Sequence, residues 1–382
     1  MRRGLRGESI EEPPANRRRL GGASLCFCVC LPCFLYALIG PSVAPRKAGS
    51  SIASIAGAPI MLDGPARRAV IYAPVAWHYA TLDGIEHIAG LPVEGETNEL
   101  SRRLLRFVFP DASRLAHAPT RGESAIPGDP EAFLALHADA ALSWSWMASG
   151  LRALGAPVVP LDADPARTNA TNMEETWRLL ADVSRQRPRF DELARRYRRE
   201  MNEVIATVPL SGAPPRVAYF YQLEPVVLAV SWTRIASLLE MVGAQNIVRT
   251  ERFPQKEELM ALAPDVVVLS GFIESDAVAS FLADPAFRCL PAVRTRRVYR
   301  EPMGGARMEG LLEEPLMLQW LVEILYPEKM APKMREKFSR AYEEAFGVAL
   351  SEAALDEALS LEENARARDG ERFARTPENE RR

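Results

Sequence analysis

Cysteine and histidine are the side chains best able to hold a metal ion or act as nucleophiles, and this chain has five of the first and four of the second. Cys26, Cys28, Cys30 and Cys33 have the close C-x-C-x-C spacing that a soft metal could use. They have no histidine or carboxylate beside them, however, and lie inside the apolar run LCFCVCLPCFLYALIG. His78, His87, His117 and His137 fall on different predicted elements with no H-x-x-x-H spacing, so no protein-held metal centre or resident cofactor is expected. Cys289 stands between Arg288 and Leu290 without a catalytic signature and reads as a small packed apolar residue. The chain lacks G-x-S-x-G, a P-loop, H-E-x-x-H and a Rossmann glycine run after its first strand, which argues against an enzyme. A formal charge of -3 on 382 residues leaves no basic footprint for nucleic acid.

The remaining candidate chemistry is recognition, and its residues must be placed by strands. Short apolar runs at 68–72, 138–142, 156–161, 216–221, 265–270 and 297–299 alternate with helix-like segments. Nearly continuous apolar strands alternating with helices predict parallel sheets covered on both faces. In such sheets, loops at the carboxyl ends of the strands line the ligand crevice. Those predicted loops carry Trp77, His78 and Tyr79, then Trp144 and Trp146, then Tyr221 at the end of its strand, and finally Met303 and Arg307. Trp232, just before a helical run, is a further candidate from the second half. Aromatic rings suit a flat or greasy ligand, although they also simply fill space between cores. Gly304 and Gly305 would let backbone bend around a ligand while Arg307 grips an acidic group in two-pronged fashion; an ordinary surface arginine is the plainer reading.

The chain divides by composition. Arg17 to Arg19, the apolar run and the small residues after it have the order of an export signal, so residues 1–58 are expected to be a leader, cleaved between about 44 and 58. An N-terminal α/β lobe is expected over 59–186. A long amphipathic helix over 187–209 repeats apolar residues at Phe190, Leu193, Tyr197, Met201, Val204 and Val208. A second α/β lobe follows over 210–350. The charged stretch 351–382 has few apolar residues after Leu361 and is expected to be disordered.

Two segments repeat one another, Glu131-Ala-Phe-Leu-Ala-Leu-His-Ala-Asp139 and Glu257-Glu-Leu-Met-Ala-Leu-Ala-Pro-Asp265. Each reads as a short helix with Glu in its first turn, ending before an Asp that leads into a buried strand. The repeat points to two similarly built lobes. A helix dipole alone favours a first-turn Glu, so the acids need no further role.

PEAFLALHADAAL, QKEELMALAPDVVVL with RRVYREP behind it, and QWLVEILYPE resemble the periplasmic substrate-binding proteins of ABC importers for iron chelates, haem and cobalamin. The resemblance spans roughly residues 66–346. It implies two doubly wound α/β lobes with mainly parallel sheets, joined by a long rigid helix, with a ligand cleft between them. It further implies a monomeric, periplasmic, non-enzymatic protein that binds a metal chelate such as a ferric siderophore, with an importer permease and its ATPase subunits as partners. Within the matched motifs, Glu131 and Glu257 take the positions of the acids that dock on the permease.

Overall fold

The structure is a computed structural model. It describes residues 50–374 outside the segments 54–58, 63, 72, 92–98, 115, 118–129, 144–149, 154, 156, 162–172, 210–211, 232, 250–255, 272 and 274–275. It opens with an antiparallel hairpin, β1 (Ser50–Ala53) and β2 (Pro59–Leu62), in which Ser50 pairs with Leu62. The first lobe then runs β3 (Ala69–Ile71), α1 (Ala73–Asp83), β4 (Ile88–Leu91), α2 (Glu99–Val108), β5 (Ala116–His117), α3 (Pro130–Ala135), β6 (Ala140–Ser143), β7 (Val158–Pro160) and α4 (Met173–Ser184). Its five strands lie parallel in the order β5-β4-β3-β6-β7.

The long helix α5 (Arg187–Ile205) comes next. Nineteen residues at 1.5 Å each make it about 28 Å long. Pro188 in its first turn fits there because that turn's N–H has no helical partner. Phe190, Leu193 and Ala194 enter the core of the first lobe, whereas Met201 and Val204 enter that of the second. One apolar stripe is thereby shared between two cores.

The second lobe runs β8 (Arg216–Gln222), β9 (Val227–Leu228), α6 (Arg234–Met241), β10 (Gln245–Asn246), α7 (Lys256–Leu262), β11 (Val266–Leu269), α8 (Ala277–Ala283), α9 (Pro291–Arg294) and β12 (Val298–Arg300). Four strands are parallel in the order β10-β8-β11-β12, and β9 pairs antiparallel with β8. The chain closes with α10 (Gly310–Leu325), α11 (Met334–Phe346), α12 (Glu352–Ala358) and α13 (Leu361–Asn364). Every residue of β3, β6, β11 and β12 is buried, as the unbroken apolar runs require of strands covered on both faces.

The repeated motif has a structural explanation. In the first lobe the Asp139 carboxylate accepts from the backbone N–H of Arg67 (2.7 Å) and Arg68 (3.1 Å), and the Arg68 guanidinium donates to the Leu136 carbonyl (2.7 Å). In the second, Asp265 accepts from the Arg216 N–H (3.1 Å) and Arg216 donates to the Leu262 carbonyl (2.6 Å). His137 and Ala263, at matching positions, both take left-handed backbone (φ 47° and 41°) to turn from helix to strand. Each lobe thus fastens a helix end and two neighbouring parallel strands with one Arg and one Asp.

Two expectations need correction. The tail is folded as far as Ala374: Leu355, Leu359 and Phe373 are buried, and Asn364 pairs with β12, accepting from the Arg300 N–H (2.8 Å) and donating to the Arg300 carbonyl (2.9 Å). β12 is the outer strand of its sheet, so the tail supplies partners that its open edge lacks. Its acids Glu352 and Asp356 pair with Arg335 of α11. Residues 1–49 and 54–58, which hold most of the expected leader and its cleavage region, lie outside the described residues. Cys289 is exposed rather than packed, because its neighbour Leu290 takes the inward position.

Candidate functional site

α1, which follows β3 of the first lobe, packs against the turn between β12 and α10 of the second. Trp77, His78 and Tyr79 lie not on a loop but on α1, which begins two residues after β3 with Pro74 in its first turn. All three are buried, because α1 is covered on almost every side.

Trp77 points from the first lobe into the second. Its ring lies 5.9 Å from Phe109, 6.0 Å from Tyr342 and 5.6 Å from Phe346, the last two on α11. A Cβ on Gly305 would come within 2.3 Å of that ring, so this glycine makes room for Trp77 rather than for a ligand. His78 stacks obliquely on Trp177 of α4 at 4.9 Å, and both rings press on Gly310, whose φ of 79° suits glycine. Burial first, and then the Arg307 charge, push the His78 imidazole down to about 3. It is therefore neutral at physiological pH, and its Nδ1 has no hydrogen-bond partner among the described residues.

Tyr79 faces the other way. Its hydroxyl donates to the Ala66 carbonyl (3.0 Å) in the first-lobe core, so it does not reach this site. Helical spacing turns Tyr79 about 100° from His78, which a loop reading could not foresee.

From the second lobe come Tyr221, Met303 and Arg307. Tyr219 and Tyr221 meet edge to face at 4.9 Å. Burial, then the negative charges of Glu309 and Glu301, raise the Tyr221 hydroxyl above its ordinary range. Met303 is buried against Gly271, and its N–H donates to the Ala358 carbonyl (2.7 Å) of α12. Arg307 is mostly covered and lies 4.0 Å from Glu309. Trp144, Trp146 and Trp232 lie outside the described residues.

Several residues of this region escaped the sequence reading. Trp177 of α4 was not marked. Glu301 directly follows β12, a position that could have flagged it: its carboxylate accepts from the Tyr219 hydroxyl (2.6 Å), the Ser270 hydroxyl (3.0 Å) and the Gly271 N–H (2.7 Å). Burial pushes Glu301 up to about 7 in spite of those donors. α10 is buried along its whole length and carries three more acids, each held on a different side. Glu314 is bound by Arg234 of α6 and by the Tyr197 hydroxyl of α5 (2.8 Å), tying the long helix to the second lobe. Glu323 accepts from Gln319 (2.7 Å) and from the Lys333 N–H (2.8 Å).

Of the two repeat acids, Glu131 is exposed in the first turn of α3, and Glu257 lies at the equivalent place in α7. No cluster of three or more His, Cys, Asp or Glu among the described residues could hold a metal ion. No described helix is long and apolar enough to cross a membrane.

Residues 123–302 match the family described as periplasmic binding protein. No curated protein sequence matches the chain. Among solved structures, a periplasmic solute-binding protein from Veillonella parvula superposes with a TM-score of 0.66 at 19% identity, covering 83% of this chain and 98% of its own. The molybdate-binding protein MolA of Haemophilus influenzae gives 0.64 at 16% identity, covering 79% and 99%. The periplasmic haem-binding protein BhuT, in complex with two haems, gives 0.54 at 22% identity, covering 70% and 100%. Identities this low speak for the fold. Over residues 123–302 the chain carries the pattern of the periplasmic binding protein family, and its two α/β lobes have the fold of the solute-binding proteins of ABC transporters.

Proposed function

We propose that this protein is an extracytoplasmic solute-binding protein that captures a metal chelate, of the ferric siderophore, haem or cobalamin class, between its lobes and delivers it to an ABC importer. The observation that carries the reading is the packing of α1, which follows β3 of the first lobe, against the 303–310 turn that follows β12 of the second: Trp77 lies on Gly305 and His78 on Gly310. Rings and a thioether suit a large, partly apolar ligand, Arg307 supplies a charge for an acidic substituent, and a neutral imidazole has the form that ligates a chelated metal. The deciding experiment is absorbance and native mass spectrometry after incubation with haem, cobalamin and several ferric siderophores. A Soret or charge-transfer band with the matching mass increase is expected for one of them; no band and no mass change with any would sink the proposal.

Delivery would use Glu131 and Glu257 as a two-point spacing, one acid on each lobe at matched helix starts. Reversing both to Lys should leave folding nearly intact, since first-turn charges contribute about 0.3–1 kcal/mol. ATP-driven uptake into vesicles bearing the cognate permease should fall steeply, most of all at low salt, where screening is weakest. Unchanged uptake would remove the docking role and leave the repeat its Arg and Asp fastening alone.

A further inference from the structure

One side chain organises the backbone that faces the interlobe site. The segment from Met303 to Gly310 leaves β12, crosses to α1 and turns into α10. Within it Arg307 and Met308 both take left-handed backbone, φ 59° and 58°. For residues with a Cβ this costs about 1–2 kcal/mol each and persists only where the surroundings enforce it. The enforcing group is Glu313, fully buried in the first turn of α10.

Its Oε2 accepts from the backbone N–H of Ala306 (3.1 Å) and of Met308 (2.9 Å), and its Oε1 accepts from the Tyr342 hydroxyl of α11. The Tyr342 oxygen in turn accepts from the Gly305 N–H (2.8 Å). A Cβ on Gly304 would fall 2.2 Å from the Glu313 carboxylate, so that glycine admits the acid. Three amides of one turn, 305, 306 and 308, are thus satisfied by two side chains from two helices. Left unmet in a buried site, each would cost about 1–3 kcal/mol.

We infer that Glu313 is a positioning residue that latches the Met303–Gly310 turn, and so fixes Arg307 and the seat of Trp77 at the interlobe face. What the latch serves rests on the proposed function, but the latch itself is readable without any ligand. Hydrogen exchange by mass spectrometry on the full chain tests it. Glu313→Ala should speed exchange in the 303–310 peptide about tenfold or more, equivalent to a local loss of ~1.4 kcal/mol or more, while β8 and β11 stay protected. Glu313→Gln, whose side-chain carbonyl can still accept from both amides, should restore most of that protection.

Unchanged exchange in the alanine variant, failure of glutamine to rescue, or acceleration spread evenly over both lobes would overturn the assignment. If the alanine variant does not fold, Tyr342→Phe, which removes the partner of Gly305 N–H and one donor to Glu313, should accelerate the same peptide by a smaller factor; no change there would also overturn it. In a parallel arm with haem as the probe, Glu313→Ala should bind more weakly than the wild type. If the wild type binds none of the chelates tested, the proposed function fails while the exchange result still decides the latch.

Discussion

The two lobes share a joint but treat polar groups differently. In both, a short helix ends at a left-handed residue, an Asp takes backbone N–H groups of the neighbouring strand, and an Arg of that strand closes the helix end. In the first lobe this joint lies on an exposed surface, and in the second it is half buried. The second lobe, with α10, also buries Glu301, Glu313, Glu314, Glu323 and Asn364, whereas on the first lobe's side of the interface the buried titratable ring is His78. The same local device therefore supports two roles: one lobe presents an apolar helix, and the other buries polar groups, of which Glu313 shapes the turn facing that helix.

The comparison breaks most readily at the edge of β12. Asn364→Ala strips partners from both the N–H and the carbonyl of Arg300 in a buried setting. It should cost roughly 2–4 kcal/mol in urea unfolding, with the midpoint falling and the slope unchanged. Ending the chain at Leu350 should do more, giving aggregated protein, because the outer strand and the surface under Leu355, Leu359 and Phe373 would be open. A soluble, equally stable truncation would show that the second lobe does not need its tail.

Protonation sharpens the contrast next. Glu301 and Glu313 are pushed by burial from 4.5 up to about 7, so between those pH values the folded state binds more protons than the unfolded one and stability falls as pH rises. His78 is pushed from 6.5 down to about 3, so in that window the unfolded state binds more protons and stability falls as pH falls. The lobes thus pull in opposite directions between pH 4.5 and 6.5. Relative to the wild type, Glu301→Gln should change the slope of stability against pH there by up to about 1.4 kcal/mol per unit toward alkaline preference. His78→Phe should change it by the same amount toward acid. Parallel curves for wild type and both variants would show that neither group titrates as its burial demands.

The smallest effect is expected at the shared joint. Asp139→Ala gives up two amide contacts on an exposed surface, and Asp265→Ala gives up one in a half-buried place. Each should cost about 1–2 kcal/mol by thermal unfolding, and the two losses should agree within about 0.5 kcal/mol if the joints are equivalent. A loss confined to one lobe would reduce the repeat to a likeness of sequence.

How far the sequence could be read follows from how far apart the interacting residues lie along the chain. Six strands, the stripe of α5 and the paired Glu and Asp motifs were legible, because runs and periods depend on near neighbours and on whether a face is covered, whereas the short strands β1, β2, β4, β5, β9 and β10 were not. The site was legible in part. Trp77 and His78 were marked as strand-end residues and lie against the 303–310 turn that carries Met303 and Arg307, but their place on helix α1 was not foreseen, and Tyr79 turns away. Composition marked the tail as too charged to fold, yet its place is set by the open edge of β12, a partner 64 residues distant. Glu313 carried no mark in the sequence; its place is set by Tyr342, 29 residues on, and the amides of 306 and 308. The sequence by itself determined six of the strands, the long helix between the lobes and that two lobes repeat one plan. The tertiary structure alone decided which buried polar groups find partners, because a hydrogen bond needs both ends within about 3 Å, and that depends on how separate elements pack.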